Sequence, residues 1–141
     1  MSEDFIDSNV FVYLFDETDK RKREIADGIV RSALQAHSAS ISFQVAQEIS
    51  NVVTRKLPTP MTAEDAGRFL EQVLGPLWRN YPSLGLYRRA LGVQARYRFS
   101  FYDSLIIAAA LEAGCSRLYS EDLQDGQRIE ELTIENPFRE S

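Results

Sequence analysis

Four acidic residues stand where carboxylates can do chemistry: Asp7, Glu48, Asp103 and Asp122. Asp7 ends the apolar segment Asp4-Phe5-Ile6, Asp122 follows Leu118-Tyr119-Ser120, Asp103 opens an apolar run, and Glu48 lies one to two turns into an amphipathic segment. Each has an ordinary reading alone. Asp7 suits an N-cap, Asp103 the third helical residue of a Ser100-x-x-Asp103 capping box, Glu48 a solvated helix face, and Asp122 a turn before Gly126. Together they say more, because an acid at the head of an all-apolar helix is aimed inward and no basic neighbour in sequence pairs with it. Two carboxylates about 4 Å apart repel by roughly 4 kcal/mol at an effective dielectric near 20, so a converging cluster calls for a cation. Mg²⁺ takes oxygen ligands, keeps several waters and is held by one or two carboxylates with substrate phosphate; Mn²⁺ suits the same site. Zinc fits poorly, since the only His is His37 and the only Cys is Cys115. This ligand chemistry points to phosphate esters.

The elements that must position these acids read as alternating short strands and longer helices. Strands are expected at Asp4-Phe5-Ile6, Ser40-Ile41-Ser42, about Leu77-Trp78, Arg117 to Ser120 and Leu132 to Glu135. Helices are expected from Asn9 to Phe15, Asp19 to Ala36, Phe43 to Arg55, Thr62 toward Leu74 with a stop at Gly75-Pro76, Ser83 to Tyr97, and Phe101 to Ala113. In the Ser83 to Tyr97 helix, Leu84, Tyr87, Leu91 and Ala95 share one side. The helix from Phe101 is apolar almost all round and belongs in the interior. The alternation predicts an α/β fold with a parallel sheet covered by helices, and ligands of such sheets bind beyond the carboxyl ends of the strands. Asp7 and Asp122 would then share one sheet edge.

A chain of 141 residues fits one domain, taken as residues 1–141. With 44% hydrophobic and 26% charged residues it can build a core and a solvated surface. No apolar run approaches the roughly 20 residues of a membrane span, and Met1-Ser2-Glu3-Asp4 is acidic where a secretory leader would be basic, so a cytoplasmic location without membrane contact is expected. Cys115 reads as a buried, inert thiol. A net charge of −5 argues against general nucleic-acid coating and confines any RNA contact to local patches such as Lys20 to Arg23, Arg55-Lys56, Arg88-Arg89 or Arg96 and Arg98. For each patch a solvated helix face is the competing reading.

With these positions in view, the chain resembles the PIN-domain family, in particular the VapC-type ribonuclease toxins of bacterial toxin–antitoxin modules. Phe5-Ile6-Asp7-Ser8-Asn9-Val10 is similar to the family's strand ending in Asp-Thr/Ser-Asn-Val, and Gln47-Glu48 matches its second acid. Phe101-Tyr102-Asp103-Ser104-Leu105-Ile106 resembles the Tyr-Asp-Ala/Ser segment, Tyr119-Ser120-Glu121-Asp122-Leu123 the Thr/Ser-x-Asp motif, and Ile134 to Phe138 the close of the toxin subgroup. The resemblance implies a three-layer fold with a short, mainly parallel sheet. It implies Mg²⁺- or Mn²⁺-dependent hydrolysis of RNA phosphodiesters by metal-activated water, with Asp7, Asp103 and Asp122 as metal ligands and Glu48 orienting or deprotonating the water or ligating a second ion. Asn9 and Ser120 become supporting residues. Transfer or ribosomal RNA as substrate, a cognate antitoxin and a homodimer are implied too, with Trp78, Tyr81 and Phe69 available for a self-interface or the core. One departure is Gln124, where some relatives carry a further acid; Glu121 and Asp125 then read as exposed turn residues.

Other readings compete. A PIN-like module that binds RNA or protein without catalysis is the alternative, and retention of all four acids speaks against it. A phosphate-accepting receiver domain lacks its paired acids and its Lys near the last strand. A haloacid-dehalogenase-type phosphohydrolase needs Asp two residues after Asp7, where Asn9 stands.

Overall fold

The computed structural model describes residues 3–140. Met1 and Ser2, half of the acidic opening, lie outside them. The chain runs β1 (Glu3–Ile6), α1 (Ser8–Tyr13), α2 (Lys20–Ala36), β2 (Ala39–Ser42), α3 (Phe43–Arg55), α4 (Ala63–Phe69), a π-helical turn Leu70–Leu74, the short α5 (Gly75–Leu77) and β3 (Trp78–Asn80). It continues through α6 (Leu84–Tyr97), α7 (Phe101–Glu112), β4 (Cys115–Tyr119), β5 (Arg128–Ile129) and β6 (Leu132–Glu135). The strands form one sheet in the order β3-β2-β1-β4-β6-β5. All neighbours are parallel except β5 and β6, which form an antiparallel hairpin. This is the helix-flanked, mainly parallel α/β arrangement expected.

From β1 the chain winds outward to β2 and β3, then crosses back to β4 on the other side of β1. The carboxyl ends of β1 and β4 therefore flank the point where the strand order reverses, the usual place for a ligand crevice in an open α/β sheet. Phe5, Ile6, Ile41, Leu118, Leu132 and Ile134 are fully buried, so both faces of the central strands are covered. Residues Leu105 to Ala110 of α7 are all buried, as an almost wholly apolar helix requires. Cys115 is buried, and burial pushes its thiol up to about 12, so it stays protonated and inert.

Two expectations are corrected. The helix expected to stop at Gly75-Pro76 continues: the turn widens, the Gly75 N–H reaches the Leu70 carbonyl, and Pro76 enters the first turn of α5, where its missing N–H costs nothing. In α6 the buried face is Leu86, Ala90 and Val93, not the stripe read from sequence; Leu84 is 86% exposed and Leu91 55%. Both faces of α6 carry apolar residues at helical spacing, and the face with Leu86, Ala90 and Val93 is the one that packs inward. The β5 strand, only two residues long, was not anticipated.

Candidate active site

The site is built on the carboxyl ends of β1 and β4. Asp7 immediately follows β1, is buried, and caps α1 by accepting the Ser8 N–H at 2.7 Å through Oδ1. Its Oδ2 accepts the Ser120 hydroxyl at 2.9 Å and lies 3.5 Å from Asn9 Nδ2. Ser120 is fully buried just past β4, and its Oγ also accepts the Asp122 N–H at 3.3 Å. Asn9 faces the same point from α1: Nδ2 reaches Asp122 Oδ2 at 3.2 Å and Ser120 Oγ at 3.4 Å, while Oδ1 accepts the Glu121 N–H at 3.2 Å. The two residues expected to support the site thus link Asp7 to Asp122.

Asp103 sits in the first turn of α7, whose N-cap Ser100 accepts the Asp103 N–H at 3.1 Å. Only half of the expected capping box forms: Ser100 caps through the Asp103 backbone N–H, while among the described residues the Asp103 carboxylate makes no return hydrogen bond to the Ser100 N–H and is left free for the site. Glu48 lies on the exposed side of α3, toward Asp7 and Asp103. Among the described residues, none of the four acids takes part in an ion pair.

Electrostatics register that gathering. Burial pushes the Asp7 carboxyl up to about 6, partly offset by the Ser120 and Ser8 hydrogen bonds, and the charges of Asp122 and Asp103 push it further the same way. Glu48 is raised to about 7, first by lost solvation at its carboxylate and then by the charges of Asp7 and Asp103; Ser8 and Gln44 hydrogen bonds act in the opposite sense. Asp7 thus feels Asp103 and Asp122, and Glu48 feels Asp7 and Asp103.

The donor set suits a hard divalent ion. It is all oxygen; His37 is far along the chain at the C-cap of α2, and Cys115 is at the opposite end of β4. Among the described residues no three His, Cys, Asp or Glu side chains close into a ready-made cage. An all-oxygen donor set is the kind that Mg²⁺ or Mn²⁺ takes, with waters completing the shell. Asp7, buried and raised without a counter-charge, is the group a cation would relieve.

Neighbouring charges have structural employment. Glu121, read as an exposed turn residue, is instead held by Lys22 Nζ at 2.6 Å and by the Tyr13 hydroxyl. Asp125 accepts the Asn136 N–H at 2.8 Å and Arg139 at 2.9 Å. Both fasten the segment after β4 and neither joins the acid cluster. Arg21 donates to the Phe138 and Arg139 carbonyls and Lys20 pairs with Glu24, so with Lys22 three members of the Lys20 to Arg23 run have partners in the chain itself. Arg89 contacts Glu130, whereas Arg55, Lys56, Arg88 and Arg98 are exposed without an ion pair among the described residues. Phe69 packs on Phe15 at 5.3 Å and Trp78 is half-buried, while Tyr81 stacks on Trp78 and is 65% exposed.

Comparison with known proteins agrees with this architecture. The family model described as "PIN domain" matches residues 5–129. A toxin–antitoxin complex from Klebsiella pneumoniae is similar with a TM-score of 0.66 and 17% identity, over 96% of this chain and 98% of that one. DNA-bound VapBC from Salmonella typhimurium gives 0.65 and 19%, over 97% and 99%. A sarcin–ricin loop cleaving VapC toxin from Mycobacterium tuberculosis gives 0.58 and 19%, over 84% and 88%. No curated protein sequence matches the chain.

Proposed function

Since the chain belongs to the PIN-domain family, we propose that it is a Mg²⁺- or Mn²⁺-dependent endoribonuclease, the toxin of a toxin–antitoxin module. The observation that carries this reading is the buried Asp7 carboxylate, raised to about 6 amid Asp103 and Asp122 with no basic partner among the described residues. Asp7, Asp103 and Asp122 would hold the ion. When bound, it neutralises charge on the carboxylates and the phosphate and makes an attacking water more acidic. Glu48, raised to about 7, is suited to orient that water and take its proton near neutral pH. Ser120 and Asn9 keep Asp7 and Asp122 oriented.

The solved toxin–antitoxin complexes of similar fold support an antitoxin as protein partner. A cleft of about 540 Å³ beside α1, lined by apolar Val12, Phe15 and Met61 together with charged Asp16, Glu17 and Arg23, offers such a chain a seat. The sarcin–ricin loop cleaving relative supports a structured RNA as substrate. The exposed apolar stripe of α6 supports a homodimer. No helix among the described residues is long and apolar enough to cross a membrane, in keeping with a proposed cytoplasmic setting.

The test is cleavage of a panel of structured RNAs by the purified chain with Mg²⁺ or Mn²⁺, against Asp7→Asn and Asp103→Asn. Loss of at least about 100-fold in rate in each variant is expected. Equal cleavage by all three proteins would return these acids to purely structural roles, and tight RNA binding without cleavage would favour the non-catalytic module.

A further inference from the structure

Glu48 and Asp103 belong to different helices, and no hydrogen bond joins them among the described residues. Something must set the spacing between α3 and the head of α7. One side chain bridges the two helices there. Gln44 lies one turn before Glu48 on α3, at the i,i+4 spacing that puts two residues on one face. It is only 7% exposed, and its Nε2 donates to the Tyr102 carbonyl at 3.2 Å, one residue before Asp103. Its Oε1 is buried with no partner among the described residues.

Burying a primary amide with one unmet acceptor is costly, and an apolar side chain of similar volume would fill the place without that cost. The orientation of the amide is settled by its surroundings, because a flipped Gln44 would set an oxygen against the Tyr102 carbonyl. Tyr102 lies inside α7, where its carbonyl also serves as a helical acceptor, so the helix does not need Gln44. The amide therefore adds little to folding, and its geometric consequence is to fix one helix head against the other on the same face of α3 as the Glu48 carboxylate it also acts on.

We propose that Gln44 is a positioning residue for the reaction, tying the first turn of α3 to the first turn of α7 and thereby setting Glu48 against Asp103. This deepens the nuclease reading and rests on it. A residue that acts through Glu48 should affect turnover rather than substrate capture, because misplacing a proton acceptor costs rate while leaving RNA contacts in place.

Gln44→Met tests it on the RNA of the panel cut most readily, with Gln44→Leu as a second variant of different shape. The expected result is a kcat lowered by about 10-fold or more, an unchanged KM, an unchanged or raised Tm, and Mn²⁺ affinity by calorimetry equal to that of the unaltered chain. A kcat within twofold of the unaltered chain would overturn the proposal, as would Tm falling together with kcat in both variants. If the unaltered chain neither binds Mn²⁺ nor cuts any RNA, the nuclease reading itself falls, a result distinct from either outcome for Gln44.

Discussion

The Ser120 hydroxyl donates to Asp7 Oδ2 across 2.9 Å, joining the end of β1 to the turn after β4 over a sequence separation of 113 residues. It is a bond of ordinary length between buried groups, and it engages one of the two Asp7 oxygens. It does not remove the cost of burying the charge, because burial outweighs it and the Asp7 carboxyl still stands near 6.

That balance gives a stability prediction. A carboxyl whose folded pKa is raised contributes stability fully present below the unfolded value of 3.8 and lost as pH rises through about 6. A displacement of that size corresponds to ~3 kcal/mol against the metal-free fold at neutral pH. Asp7→Asn should therefore raise the Tm of chelator-treated protein at pH 7.5 by several degrees, and change it little or lower it at pH 4. Thermal melts at the two pH values check this; a lower Tm for the variant at pH 7.5 would show that Asp7 is a net stabiliser.

A second prediction concerns pH and rate. Glu48 must be ionised to accept a proton, and its pKa is raised to about 7, so activity should fall as pH drops through that region. A bound cation, by offsetting the Asp7 and Asp103 charges, moves the midpoint below 7. Glu48→Gln should remove this acid limb and lower kcat by about 100-fold or more. A Glu48→Gln profile that keeps the same limb would assign the titration to another group.

Much of this site was legible in the sequence because each acid adjoins a local signal: a strand end for Asp7, a capping Ser100 for Asp103, an amphipathic stripe for Glu48 and the Ser120 motif for Asp122. What was not legible depends on partners distant in the chain. Glu121 resembles a solvated turn residue until Lys22, 99 positions away, is seen to hold it. Gln44 gives no local cue, since its partner Tyr102 is 58 positions away. The α6 face failed for another reason: periodicity finds a stripe but cannot tell which of two stripes meets α7.

The Asn9 amide supports a third prediction. Its side chain contacts Asp7, Ser120, Asp122 and the Glu121 N–H together. Asn9→Ala should cost about 1–2 kcal/mol of stability through the lost bonds. It should also weaken Mn²⁺ binding about 10-fold, as expected for a support of ligating carboxylates. Calorimetry measures the second effect independently of activity, and unchanged affinity would reduce Asn9 to a fold-stabilising residue.

The Lys22 contact predicts a separable effect. Its ammonium holds Glu121 at 2.6 Å and lies 4.8 Å from the centre of the Tyr13 ring, and both side chains of the ion pair are about three-quarters buried. Lys22→Met retains the aliphatic stem and removes the charge, leaving Glu121 beside Tyr13 alone. Stability should fall by about 1 kcal/mol, more than for an exposed pair such as Lys20 with Glu24. Chemical denaturation of Lys22→Met and Lys20→Met compares them directly, and equal losses would mean that partial burial of the Lys22 pair adds nothing.

Self-association is predicted from α6. Leu84, Tyr87 and Leu91 are 86%, 40% and 55% exposed at successive helical turns, and the opposite face already packs inward through Leu86, Ala90 and Val93. Such a stripe is costly in water and is relieved when covered by a like surface. A two-fold dimer would let it meet its own copy, with Arg88 on the same side remaining at the rim. Leu91→Asp would place like charges across that contact and desolvate them, yet in the monomer the position is already solvated, so folding should be spared. Light scattering after gel filtration should find a dimer for the unaltered chain and a monomer for Leu91→Asp, with the two Tm values close once dilution has separated the protomers. A Leu91→Asp protein that still elutes as a dimer would put the self-interface on another face.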